Sequence, residues 1–361
     1  MILTDGISIW VIPMSTKLSL TGLKRSFKSF VSRHEAIVLT YHSTLPSQTL
    51  LIPVPHHLDG DLFHDQMRYL VSSGFNCVSL QQLAEYIKNK SIPSRTVAIT
   101  FDDGFYNNLS VAFPILERYR IPATIFIAAG YIGSTRLNWP EELAILLTLA
   151  NVPQLKLADR DLAIVSSSEK AVAYEQIARH FSTLDADGIQ ACLKNLLDQA
   201  SLSREDLYRS PLYESLRFMT WDEVHAMAKS ELISFGSHTV NHRRLVYLSP
   251  DDAQQEIAQS RDIIQQQLGA CAAFAYPHGR WHKDFNDSHF NMAVAAGYDI
   301  VVTADSGTVT TASSPHDLRR ENILNGHHLA HFDYLLRGGI SFAHIRSRAD
   351  VVRGMLTGCT Q

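Results

Sequence analysis

The chain has 361 residues, 45% hydrophobic and 19% charged, with a mean hydropathy of -0.05; this is enough apolar material for one large domain or two small ones and excludes a disordered chain. A net charge of -4 and a pI near 6.5 provide no basic field for nucleic acid. The sequence contains no apolar run long enough to read as a membrane-spanning helix.

Residues 1–13 are apolar but carry Asp5 and lack a basic leading region or a small-residue cleavage site, so they make a poor secretory signal. From Met14, an alternative start, Lys17, Lys24, Arg25, Lys28 and Arg33 interleave with Leu20, Leu23, Phe27, Phe30 and Val31 at helical spacing. Such a cationic amphipathic helix either docks on its own domain or lies on an anionic membrane surface. Residues 1–35 are therefore set apart as an N-terminal segment. The expected location is the cytoplasm, with peripheral contact at the inner membrane left open. Cys77, Cys192, Cys271 and Cys359 show no Cys-x-x-Cys spacing and read as reduced thiols, most of them in the core.

A strand over 35–41 ends at the titratable His42, and 45–60, rich in proline and histidine, reads as a loop. A helix over 61–73 stops at Gly74, followed by a strand over 76–80 and a helix over 80–89. This alternation is the pattern of an α/β domain with a parallel sheet. The stretch Val97 to Phe101 has the continuous hydrophobicity of a strand covered on both faces. It ends in Asp102, Asp103 and Gly104. Two adjacent carboxylates at a buried strand tip repel each other and lose solvation, a cost that a cation or a proton would offset.

The pattern continues with a helix over 108–119, interrupted by Pro114, and a strand over 123–128. The region 139–217 holds helices over 141–150, 169–180, 186–200 and 204–209, an exposed loop over 158–170 and no clear strand. It reads as an α-helical insertion laid over the active end of the sheet, where it would shape a substrate groove. Thr220 and Glu223 form a capping box. A strand over 233–236 then runs into Ser237, His238, Thr239, Val240, Asn241 and His242. Ser249 and Pro250 open a helix to Leu268. A strand over 272–277 leads into His278 and Gly279, a helix covers 285–296 and a strand 298–303. A loop over 304–315, the pair Arg319 and Arg320, and a helix over 329–337 complete a catalytic domain over 36–338, before a short tail over 339–361.

Seven or eight strands alternating with helices allow a closed or partly closed (β/α) barrel, in which active residues gather at the strands' C-terminal ends. His42, Asp102, Asp103, His238, His242, Tyr276 and His278 all fall there. The spacing of His238 and His242 would place both imidazoles on one side of a helical turn, within roughly 5–6 Å, fit to hold one metal. An aspartate from a neighbouring strand would complete two histidines and a carboxylate, leaving a position open for water. A metal so held makes that water acidic, and the second aspartate can take its proton as general base. A backbone N–H such as that of Tyr276 would stabilise an oxyanion, and a histidine would protonate the leaving group. The chemistry expected is metal-assisted hydrolysis of an amide or ester.

Thr100-Phe-Asp-Asp-Gly104, His238-Thr-Val-Asn-His242 and Tyr276-Pro-His-Gly279 resemble, in order, the first three motifs of the polysaccharide deacetylase (NodB-like) family. The resemblance extends over 37–337, with the insertion outside it. It implies a distorted (β/α) barrel of seven or eight strands and removal of N-acetyl groups from sugar polymers with zinc or another divalent metal. By the same resemblance Asp102 is the base, Asp103, His238 and His242 are the metal ligands, and the main chain of Tyr276 binds the oxyanion. Ala275 stands where the family often has an arginine, so Arg319 or Arg320 would pair with Asp102 instead. A late Leu-x-His motif is lacking, which leaves His42 as the acid, as in the circularly permuted branch, with His278 the second candidate. The expected partner is a glycan or acetylated sugar. The alternatives are a carbohydrate-binding protein without turnover and a hydrolase of a non-sugar amide.

Overall fold

A computed structural model describes residues 34–47, 54–325 and 327–337. The basic stretch from Lys17 to Arg33, the tail after Arg337 and Cys359 lie outside them.

The strands that carry the site are β1 (Glu35–Tyr41), β2 (Asn76–Val78), β3 (Thr96–Phe101), β4 (Ala123–Ile127), β5 (Ile233–Ser237), β6 (Ala273–Ala275), β7 (Ile300–Val302) and β8 (Glu321–Asn322). They form one curled sheet in the order β7-β6-β5-β4-β3-β1, with every pair in that run parallel. β2 pairs with the first half of β3, and Val309–Thr310 lies antiparallel at the start of β1. The sheet's two ends meet at one short segment: Val302 of β7 bridges Leu318, and β8 pairs with Leu39 and Thr40 of β1.

All six residues of β3 and all five of β4 are buried, which explains why they read as unbroken apolar runs. Alternate residues face different clusters. Ile37, Leu39, Tyr41, Val97, Ile99 and Phe101 pack beneath the outer helices. Ala36, Val38, Ala98, Phe126, Ala273, Ala275 and Val302 fill the inside of the curl with helix Leu80–Lys88. Small residues are needed there: a Cβ on Gly236 would lie 2.6 Å from the Phe126 ring.

Several expected boundaries change. The predicted loop over 45–60 contains part of a small parallel pair, Ser43–Leu45 with His57–Asp59. The helix predicted over 108–119 is a π-helical turn, Asn108–Ala112, followed by an α-helix, Phe113–Tyr119, with Pro114 in its first turn where no N–H bond is lost. Of the three cysteines described, only Cys271 is buried.

The region 139–217 also contains strands, contrary to the sequence expectation. Gln154–Leu157 and Arg160–Ala163 form an antiparallel hairpin, so 158–170 is not one exposed loop but hairpin, connection and the start of helix Ser167–Phe181. Each strand is only four residues long, with polar side chains alternating around Leu155, Leu157 and Leu162, too little for a clear period-two signal. The hairpin and helices Trp139–Leu149, Ser167–Phe181, Ala186–Gln199, Arg204–Arg209 and Pro211–Leu216 enclose their own apolar cluster.

Candidate active site

The chain leaves β3 at Phe101 and turns through Asp103 (φ 78°) and Gly104 (φ 90°). Glycine is required at 104, because a Cβ there would lie 2.7 Å from Ile127 Cγ2. The turn aims the two aspartates differently. Asp103 Oδ1 lies 3.2 Å from His242 Nε2 and 3.7 Å from His238 Nε2. Asp102 is paired with Arg320, and its Oδ2 lies 3.9 Å from His238 Nε2.

His238 and His242 do not share a helical turn, as the spacing suggested. They lie on the irregular loop after β5, with Thr239 at φ 63° and His242 at φ 53°. Their ring centroids are still 4.9 Å apart, because the two left-handed residues fold the loop back on itself. His238 Nδ1 donates to the carbonyl of Ala275 on β6, at 2.7 Å. That bond leaves Nε2 with a free lone pair facing Asp103. Burial pushes the His238 imidazole down to about 4, favouring the neutral form.

Burial alone would raise the Asp103 carboxyl, but His242, with help from His42 and His238, overcomes it and holds Asp103 below the usual range. The ligand atoms of Asp103, His238 and His242 lie within 4.8 Å of one another. Asp103 Oδ1 is buried without a hydrogen-bond partner. A deeply buried acceptor beside two imidazoles is a costly arrangement that a divalent cation would satisfy, and the donor set suits one.

Asp102 is 4% exposed and Arg320 only 1%. Arg320 Nη1 and Nη2 donate to the two Asp102 oxygens at 2.7 and 2.8 Å, its Nε donates to Thr303 O at 2.8 Å, and its guanidinium lies 5.5 Å from the centroid of Phe126. The planar fork matches a carboxylate held from both oxygens. Burial would raise the Asp102 carboxyl, but Arg320, then His238 and His42, hold it down in the ionised form. Between the two arginines considered, Arg320 makes this pair and Arg319 is exposed.

His42 follows β1 directly, and its ring centroid lies 4.8 Å from that of His56. Its Nδ1 is buried and unpartnered, and its carbonyl accepts from Asn108 Nδ2 at 2.8 Å. His278, exposed at φ 60°, has its ring 5.1 Å from that of His242. Tyr276 begins the turn after β6, its backbone next to the carbonyl that orients His238. Its ring stacks on Phe285 at 3.8 Å. β6 is three residues long rather than the expected six, because Pro277 cannot continue the ladder.

Two features were not read from the sequence. His57, within the stretch 45–60 that reads as a loop, is buried, and its Nε2 meets Glu141 Oε1 of helix Trp139–Leu149 at 3.2 Å. Burial, reinforced by the charge of Asp103, pushes the Glu141 carboxyl well above its ordinary value. Asn107 bonds Ser43 Oγ, the amide of Thr44 and the carbonyl of Ser215, joining the segment after His42 to the end of the insertion. The one available signal was the adjacent pair Asn107 and Asn108 just after a strand turn.

Residues 89–301 match the sequence profile of the polysaccharide deacetylases. The chain belongs to the polysaccharide deacetylase family. The matched range holds Asp102, Asp103, His238, His242 and Tyr276, whereas His42 and Arg320 flank it. YxkH of Bacillus subtilis, named as a polysaccharide deacetylase by assignment, is 21% identical over 291 residues, 80% of this chain and 71% of its own. A poly-beta-1,6-N-acetyl-D-glucosamine N-deacetylase of Staphylococcus aureus is 38% identical over 76 residues, 21% of this chain and 26% of that protein. Among solved structures, the Streptococcus pyogenes deacetylase PplD superposes with a TM-score of 0.54 at 21% identity, covering 84% of this chain and 98% of that one. IcaB from Ammonifex degensii gives 0.54 at 18% identity, covering 84% and 95%. These structural likenesses bear on the fold, and the family is a family of hydrolases.

Proposed function

We propose that the protein removes acetyl groups from an N-acetylglucosamine-type glycan, with a divalent cation, zinc by preference, held by Asp103, His238 and His242. The observation that carries this is the division of labour between adjacent aspartates: one carboxylate faces two imidazoles with an unsatisfied oxygen, the other is kept ionised by a buried arginine. The glycan class is supported by the short but closer similarity to the Staphylococcus aureus enzyme. A cation at this position supplies Lewis acidity and makes hydroxide available near neutral pH.

Asp102 accepts the proton of the attacking water as general base. Arg320 keeps that carboxylate charged and fixes its plane. The peptide N–H of Tyr276 donates to the oxygen of the tetrahedral intermediate. His42 protonates the departing nitrogen.

The test is acetate release from N-acetylglucosamine oligomers by metal-loaded protein, beside the Asp102→Asn variant with metal content measured in both. Acetate from the wild type alone, with metal retained by the variant, is expected. Absence of acetate from metal-loaded wild type would reject the glycan N-deacetylase assignment.

A further inference from the structure

The long helix Pro250–Leu268 turns its buried face inward through Ala253, Glu256, Ile257, Ser260 and Ile264. This is the usual helical stripe, with one carboxylate in it. Glu256 is 7% exposed, and among the described residues no cation lies within ion-pair distance of it. Burying such a charge without a counter-ion is costly unless donors surround it.

The donors come from the loop that carries both histidines. Glu256 Oε2 accepts from the backbone N–H of Val240 at 2.9 Å and of Asn241 at 2.8 Å, and Oε1 accepts from Asn241 Nδ2 at 2.8 Å. These residues lie between His238 and His242. The loop is also held from the side, where the amides of Ala129 and Gly130 donate to the carbonyls of Thr239 and Val240. A Cβ on Gly130 would approach Val240 O to 2.8 Å, so the backbones meet directly. Within the loop Thr239 adopts φ 63°, a conformation disfavoured for a β-branched residue, and His242 adopts φ 53°. The loop also bonds itself, the amide of His242 donating to Thr239 Oγ1 at 3.1 Å.

We infer that Glu256 is a positioning residue for the metal centre: it clamps the loop 238–242 in the form that brings both imidazoles onto Asp103. The inference rests on the assignment of Asp103, His238 and His242 as metal ligands. Glu256 touches neither the ligand atoms nor substrate; it acts through the backbone between them. Its reach matters more than its charge, because two of its three bonds are to backbone amides that an amide oxygen could also satisfy.

The test is Co2+ titration of the metal-free protein, read by the visible d–d spectrum and by chelator competition. Glu256→Ala and the shorter Glu256→Asp should lose about 10–100-fold in affinity, with an altered spectrum. Glu256→Gln should stay close to wild type. Ile264→Ala on the same stripe should lower thermal stability without changing affinity. Where Glu256→Ala does not fold, Glu256→Asp decides. Unchanged affinity and spectrum in Glu256→Asp and Glu256→Ala would overturn the inference, as would an equal loss in Ile264→Ala. Wild type that takes up no Co2+ would overturn the ligand assignment itself, and the inference with it.

Discussion

Replacing Arg320 by methionine isolates the buried ion pair on which Asp102 depends. Asp102 and Arg320 are 4% and 1% exposed, and their two bonds measure 2.7 and 2.8 Å. Removing one partner of such a pair leaves the other charge buried and uncompensated, at a cost of about 3–5 kcal/mol. Asp102→Asn should cost a similar amount by stranding the guanidinium, and the double variant should lose much less than the sum. The pH dependence is also set. In the wild type the Asp102 carboxyl lies below its ordinary value, so the stability it contributes is present above the unfolded value and is lost as pH falls through the folded one. Without Arg320, burial dominates and the carboxyl rises, so the variant's deficit is largest near neutral pH and shrinks toward about pH 4. Urea unfolding followed by tryptophan fluorescence at both pH values measures this. A deficit under about 1 kcal/mol at neutral pH, the range of an exposed ion pair, would refute the reasoning.

Burial pushes the Glu321 carboxyl up to about 7. The folded protein therefore holds this proton longer than the unfolded chain: the group costs nothing below about pH 4, progressively more as pH rises, and roughly 3 kcal/mol above about pH 8. Glu321→Gln should be more stable than wild type at alkaline pH and equal to it at acid pH; a pH-independent difference would count against the assignment. Gly236→Ala, whose Cβ would meet the Phe126 ring at 2.6 Å, should lose about 1–3 kcal/mol by calorimetry, and an unchanged melting temperature would show that the ring yields freely. Zn2+ at about a hundred times its dissociation constant should stabilise the wild type by roughly 2.7 kcal/mol and leave Asp103→Ala unmoved; equal stabilisation of both would place the ion elsewhere.

The strands that carry chemistry were legible because each is buried on both faces and ends abruptly in a titratable group, as at Phe101 and Asp102. Local signals also sufficed for the capping box at Thr220 and for the helix start at Ser249, where hydrogen bonds stay within a few residues. Long-range relations were not legible. Arg319 and Arg320 are indistinguishable in composition, and only the path of the segment joining β7 to β1 decides that one is buried against Asp102 while the other faces solvent. The His238 and His242 pair was placed by a helical rule, whereas left-handed residues made the approach, and nothing in Thr239 announces φ 63°. His57 resembled its neighbour His56 until helix Trp139–Leu149 packed over it.

The segment that joins the two ends of the sheet also supplies the partner of Asp102, across 218 positions of sequence. During synthesis most of the sheet, both aspartates, His238 and His242 leave the ribosome before Arg320 does. Until it arrives Asp102 lacks the largest of the charges that hold its carboxyl ionised. The charge of Asp102 is thereby tied to closure of the whole ring, because the guanidinium that holds its carboxyl down lies on the segment that joins the two ends.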